Sequence, residues 1–278
     1  MKIWNIDLKK LWERALTILI TAPIAIYTIY LGGLPFFIMM LVVVFLAMQE
    51  MYTAYNLKHK KTNDIFYYGY MFTAIFLVSV YMKELQYVWE NLALMITVFV
   101  ALGLFIYELF RKKLFAVDNQ FLFLIRSVVY VGVMSCFFFL VRNMADGFNY
   151  WLYIIGVIWV NDIFAYLIGL PLGRHKLSPT VSPKKSVEGA IGALLGAVLM
   201  SVCLQGLVKA TLGEAIILGI VISLLAQLGD LIESLLKREL QVKDSGNLLP
   251  GHGGILDRLD SFILTFPVFY YFILYFVK

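Results

Sequence analysis

The sequence predicts an all-α integral membrane protein, a polytopic chain with about nine transmembrane helices. Two observations carry that expectation. Of its 278 residues 62% are hydrophobic and 15% charged, and the apolar residues lie in long blocks rather than scattered. A soluble domain of this size is about half apolar and a quarter charged. Each block has roughly the ~20 residues that a helix needs to cross hydrocarbon. In lipid every backbone amide must be satisfied within its own segment, which selects helices over open strands.

The blocks fall at residues 15–31, 34–50, 65–82, 90–110, 120–141, 150–170, 189–208, 212–230 and 261–277. The first two are separated only by a tight turn around Gly32, Gly33, Leu34 and Pro35 and form a hairpin. A basic lead precedes the first block, as in a signal peptide. A second span follows at once with no small-residue cleavage site, so the first helix reads as retained. Residues 1–143 are expected to form an N-terminal group of membrane helices. Residues 144–278 are expected to form a C-terminal catalytic membrane region with its site on the cytoplasmic face.

Basic residues fix the orientation. With a cytoplasmic amino terminus, alternate connectors receive 18 of the 23 Lys and Arg residues, including Lys58, Lys60 and Lys61, Arg111, Lys112 and Lys113, and Lys184 and Lys185. The opposite side receives Lys83, Arg142, Lys209 and Lys278, and Arg126 lies within the fifth block. This asymmetry follows the positive-inside rule and points to the cell membrane. The net charge of +5 therefore reads as topology and affinity for anionic membrane lipids, not as a nucleic-acid surface. Cys136 and Cys203 both lie in apolar blocks without a Cys or His partner, which argues against a zinc site or a disulfide framework.

Two connectors on the basic side differ in kind from the rest. Segments 171–188 and 230–260 mix Gly, Pro, Ser, Asp and Lys, the composition for binding phosphates and a metal. The eighth block ends in Asp230, Glu233, Ser234 and Lys237, spaced by three and four, so carboxylate, hydroxyl and ammonium share one helix face. Carboxylates there are costly unless paired or bound to a cation. Pro250, Gly251, His252, Gly253 and Gly254 then lead into a helix bearing Asp257 and Asp260 on one side, with glycine amides free to face an anion. Hard oxygen ligands without a His or Cys cluster suit Mg2+. Asp230 and Asp257 are the expected metal ligands, and Lys237, Arg238, Lys243 and Arg258 the expected phosphate cations. In the first segment Ser182, Lys184 and Lys185 flank a rigid Pro183 turn, and Asp162 precedes them in the sixth block. His252 is expected to donate to a phosphate or fix its loop.

These residues carry a resemblance. Ser234-x-x-Lys237-Arg238, Lys243-Asp244-x-Gly246, Pro250-x-His252-Gly253-Gly254 and Asp257-Arg258-x-Asp260 resemble the signature of phosphatidate cytidylyltransferases, also called CDP-diacylglycerol synthases. Asp162-x-x-Ala165-Tyr166 and Ser182-Pro183-Lys184 resemble the family's second block. One departure is Leu170, where many members carry a basic residue; Arg174 and Lys176 are the available replacements. The resemblance implies the reaction of CTP with phosphatidate to give CDP-diacylglycerol and pyrophosphate. It implies Mg2+ on Asp230 and Asp257, a second cation such as K+, and a homodimer. The implied catalytic residues are Lys237, Arg238, Lys243, Asp244, Arg258 and Asp260. The implied substrate-binding residues are Asp162, Ser182, Lys184, Ser234, His252, Gly253 and Gly254. The alternatives are another CTP-dependent lipid enzyme, such as a polyprenol kinase, and a membrane transporter. A transporter usually places its substrate carboxylates nearer the bilayer midplane.

Overall fold

The structure is a computed structural model and describes residues 8–60, 64–82, 103, 119–246, 248 and 253–277. The block expected at 90–110 lies, apart from residue 103, outside the described residues. The described chain is almost wholly helical: α1 (Leu8–Leu31), α2 (Gly33–His59), α3 (Phe66–Met82), α4 (Gln120–Asn143), α5 (Gly147–Leu172), α6 (Val187–Cys203), α7 (Leu212–Glu239) and α8 (Leu256–Phe276). Five of these, α2, α4, α5, α7 and α8, are long and apolar enough to cross a membrane. Large apolar side chains such as Tyr67, Leu195, Leu199 and Leu224 remain more than half exposed along the helices. Water would not tolerate so much apolar surface, whereas acyl chains match it. The chain is an α-helical membrane protein.

Helix ends follow local chemistry. Asn119 caps α4 by accepting from the amides of Phe121 and Leu122, each at 3.1 Å. Thr211 and Glu214 form a capping box at the start of α7. In the middle of α4 a π-helical stretch, Val128–Val133, shifts the register. Segment 171–188 is not a plain loop: β1 (Lys176–Ser178) and β2 (Ser182–Ser186) pair antiparallel, with Lys176 opposite Ser186 and Ser178 opposite Ser182. This hairpin adds a small β element to the expected all-α fold.

Several helices also run past their apolar blocks. The α2 helix continues to His59 because Tyr52 and Tyr55, beyond the expected end at residue 50, pack into an aromatic cluster with Phe66 and Phe123. Likewise α7 continues to Glu239 and α8 begins at Leu256, so the acidic residues at both ends are helical. The seventh block instead breaks into α6 and a 3-10 turn at Gln205–Leu207.

Within the C-terminal half, α6 lies along α5 and α7, and α8 lies along α7. A Cβ at Gly192 would meet Ile168 of α5, so the small side chain sets that close approach. Further toward the opposite end, Phe138, Trp151 and Phe266 pack edge-on and tilted, joining α4, α5 and α8. The α8 helix is thereby fixed against α4 and α5.

Candidate active site

A cavity of about 720 Å3 opens between α5, the hairpin, α6 and α7. Asp162, Lys176, Lys184, Lys185 and Asp230 supply its charged lining, while Tyr166 and Leu170 supply apolar wall. Along this cavity runs a polar ladder. The Asn161 amide nitrogen donates to Asp162 Oδ1 at 3.0 Å, Ser223 donates to Asn161 Oδ1 at 2.7 Å, and Gln227 donates to Ser223 Oγ at 2.9 Å. Each side chain in this ladder has a partner, so it fixes α5 against α7 at the depth of Asp162.

The hairpin is tied down at both ends. At its base Ser186 caps α6, accepting from the Gly189 amide at 3.1 Å. Glu188 accepts from the amides of Arg174 and His175 at 3.1 and 3.2 Å and pairs with His175 Nδ1 at 2.6 Å. Its own backbone N–H and then the His175 ring hold the Glu188 carboxyl down at about 2. Near its tip, Arg238 Nε donates to the Val181 carbonyl at 3.2 Å and so pins the hairpin to α7. In between, Lys185 reaches across to form an ion pair with Asp230.

The acids of α7 and α8 meet beside this contact. A Cβ at Gly229 would run into the backbone carbonyl of Asp260, so only glycine lets α8 approach α7 this closely. One ligand oxygen each from Asp230, Glu233 and Asp260 lies within 4.8 Å of the others. Ser234 donates to Asp230 Oδ1 at 3.3 Å. Lys237 pairs with Glu233 and lies 2.7 Å from Asp257 Oδ1. Asp257 Oδ2 accepts the amides of Gly254 at 2.8 Å and Ser245 at 3.2 Å. Gly253 has a φ of +81°, and a Cβ there would lie 2.8 Å from Asp257 Oδ2, so the turn is shaped around this carboxylate.

Four carboxylates, Asp230, Glu233, Asp257 and Asp260, thus gather with two lysine ammonium groups in direct contact. The Glu233 carboxylate is buried and pairs with the Lys237 ammonium. The converging hard oxygens of Asp230, Glu233 and Asp260, with four carboxylates set against two lysines, fit a divalent cation such as Mg2+.

The cytidylyltransferase family model matches residues 12–276. The chain belongs to that family. It is 34% identical to the phosphatidate cytidylyltransferase of Bacillus subtilis over 273 residues, covering 96% of this chain and 97% of that protein. It is 33% identical to the protein of the same name from Staphylococcus haemolyticus over 258 residues, covering 92% and 96%. Over 148 residues the identity to the Staphylococcus aureus protein rises to 45%, covering 52% and 56%.

Against this family background the sequence-derived residues separate into groups. Asp230, Ser234, Lys237, Asp257 and Asp260 meet at the α7–α8 junction, and Asp162 and Lys184 line the adjoining cavity. Lys176 lines it together with Leu170, whereas Arg174 is not part of the lining. Ser182 is a hairpin residue paired with Ser178, outside the lining, and Arg238 is engaged by Val181. The Gly254 amide, expected to face an anion, is spent on Asp257. Lys243, Asp244 and Arg258 are exposed near the same end, and His252 lies outside the described residues. Sequence reasoning placed Glu233 on the right helix face without giving it a role, and gave no role to the contact between Lys185 and Asp230. It passed over Glu50 of α2, whose only signal was a carboxylate at the end of an apolar block.

Proposed function

We propose that this chain is a phosphatidate cytidylyltransferase, joining CTP and phosphatidate to give CDP-diacylglycerol and pyrophosphate. The observation that carries the reading is the cavity with its charged lining on Asp230 and the lysines and its apolar wall at Tyr166 and Leu170. Such a site can hold a nucleotide and the head of a lipid together. The family relatives named phosphatidate cytidylyltransferases support the same substrates.

The chemistry asks little of a base. A phosphate monoester has its second pKa near ~6 and is already an anionic nucleophile at neutral pH. Its oxygen forms a bond to the α-phosphorus of CTP while the bond from that phosphorus to the pyrophosphate oxygen breaks. The obstacle is repulsion between two anions, so alignment and neutralisation are the work of the site. We assign Lys184 and Lys185 to the phosphates at the hairpin, with Lys176 beside them. Lys237, Lys243 and Arg258 serve the α7–α8 end, where Gly253 and Gly254 shape the turn and Asp244 and His252 lie in the same connector. Asp162 orients the cavity floor through Asn161. Ser182 and Arg238 act through the hairpin that presents the lysines.

Asp230 and Asp257 are the proposed Mg2+ ligands, with Glu233 and Asp260 beside them; Mg2+ when bound would neutralise phosphate oxygens. A second, monovalent cation such as K+ belongs to the same proposal. So do nine spans, a division near residue 143, a cytoplasmic site in the cell membrane and a homodimer.

The test uses purified full-length protein, phosphatidate, Mg2+ and CTP labelled at the α-phosphate. Label should enter the lipid phase, stop with chelator and return with added Mg2+. Label that enters lipid only from the γ-phosphate would identify a lipid kinase instead. No transfer from folded protein with several phosphatidate species would reject the enzyme reading.

A further inference from the structure

Glu50 belongs to α2, in the half of the chain that holds none of the site motifs, yet its carboxylate ends in the loop that carries them. One oxygen, Oε1, accepts from the Ile255 amide at 2.9 Å. The other, Oε2, accepts from the Leu256 amide and the Ser245 hydroxyl, each at 3.0 Å. The residue is 9% exposed, and among the described residues no Lys or Arg pairs with it. Its compensation is therefore the start of α8 and one hydroxyl, a favourable end of the helix for an anion.

The loop is moulded around this carboxylate. A Cβ at Gly246 would lie 2.5 Å from Glu50 Oε1, and one at Gly254 would collide with Glu50 Oε2 and Ser245 Oγ. The residues Glu50 grips are also those that grip Asp257. Ser245 gives its hydroxyl to Glu50 and its amide to Asp257, while Gly254 gives its amide to Asp257 and Ile255 gives the next one to Glu50. Asp257 in turn holds Lys237. A chain of direct contacts therefore runs from the interior of the N-terminal half to the acid cluster.

A buried carboxylate without a cation is a costly way to hold a loop that only needs to be packed. It is a good way to hold one at a fixed height under the charge of phosphates and metal. We infer that Glu50 is a positioning residue for nucleotidyl transfer, anchoring Ser245 and the start of α8 from α2 so that Asp257 is presented to Lys237 and the acid cluster. The inference deepens the cytidylyltransferase reading and rests on it for the activity it would control.

The test compares wild type with Glu50→Gln, which keeps size but turns one acceptor into a donor facing an N–H or O–H. Turnover with labelled CTP is measured alongside hydrogen exchange of peptides spanning residues 253–258 and of peptides from α5 and α6. In Glu50→Gln we expect kcat to fall at least 10-fold, the Mg2+ half-saturation to rise several-fold and KM for CTP to move less than 3-fold. Exchange in 253–258 should quicken at least 10-fold, with α5 and α6 unchanged. Unchanged exchange in the loop overturns the anchor, and a loosened loop with normal kcat reduces it to packing and overturns the positioning role. If Glu50→Gln fails to fold, Ser245→Ala removes one bond of the same anchor and is read by the same criteria. A wild type that transfers no label rejects the enzyme reading, and the anchor is then decided by the exchange data alone.

Discussion

Replacing Lys237 by Met isolates what one buried ammonium contributes. Its Nζ pairs with Glu233 and lies 2.7 Å from Asp257 Oδ1, and the Glu233 and Asp257 side chains are 1% and 11% exposed. Met keeps the apolar stem but leaves both carboxylates without their shared positive charge. Removing one partner of a buried pair costs about 3–5 kcal/mol because the other charge stays buried. The 16% exposure of Lys237 places the expected loss toward the lower end, about 3 kcal/mol. At about 2–4 °C per kcal/mol for chains near this size, Tm should fall by roughly 6–12 °C. Thermal unfolding in detergent, followed by tryptophan fluorescence, reads that shift. Adding Glu233→Gln removes the stranded charge and should recover about half of the loss, a coupling expected of groups in contact. A Lys237→Met protein that melts with wild type, or a double variant with no recovery, would refute the claim that this ammonium compensates the acid cluster.

Three further outcomes follow from the same geometry. Lys185→Met should lower kcat by about 100-fold, as loss of one preorganised donor does, and by clearly more than Lys184→Met, since Lys185 holds Asp230; initial rates at saturating CTP check the order. Arg238→Ala should free the hairpin from α7 by removing its bond to Val181, raising KM for CTP several-fold and quickening tryptic cleavage at Lys184 and Lys185. Gly229→Ala should drive α8 away from α7, because the new Cβ meets the Asp260 backbone. Its overpacking cost of about 1–3 kcal/mol should appear as a lower Tm with at least 10-fold lower kcat.

The helical part of the site was legible because helix periodicity converts spacing into proximity. Spacing alone puts Asp230, Glu233, Ser234 and Lys237 on one helix face, and Asp257 and Asp260 on another. That α7 and α8 continue through these residues strengthens the argument rather than changing it. The hairpin was less legible. Successive residues of a strand point to opposite faces, and of the adjacent Lys184 and Lys185 it is Lys185 that pairs with Asp230 of α7. Choosing between them requires knowing that Lys176 faces Ser186 across the ladder. The glycine connector misled in a different way: free amides suggested an anion site, but Asp257 three residues on takes the Gly254 amide itself.

Glu50 marks where sequence reasoning stops for a physical reason. Its partners Ser245, Ile255 and Leu256 lie 195 to 206 residues away, and no local periodicity encodes a contact at that distance. In sequence it is one acid at the end of an apolar run, which reads as the point where a span leaves the bilayer. The structure removes that explanation, because α2 continues nine residues further, to His59, and Glu50 is buried. A charge kept inside a membrane helix has to be matched by something. Here the match is the loop that presents Asp257. Among the described residues Glu50 thus ties α2 to the segment that presents Asp257, through contacts that only the folded chain discloses.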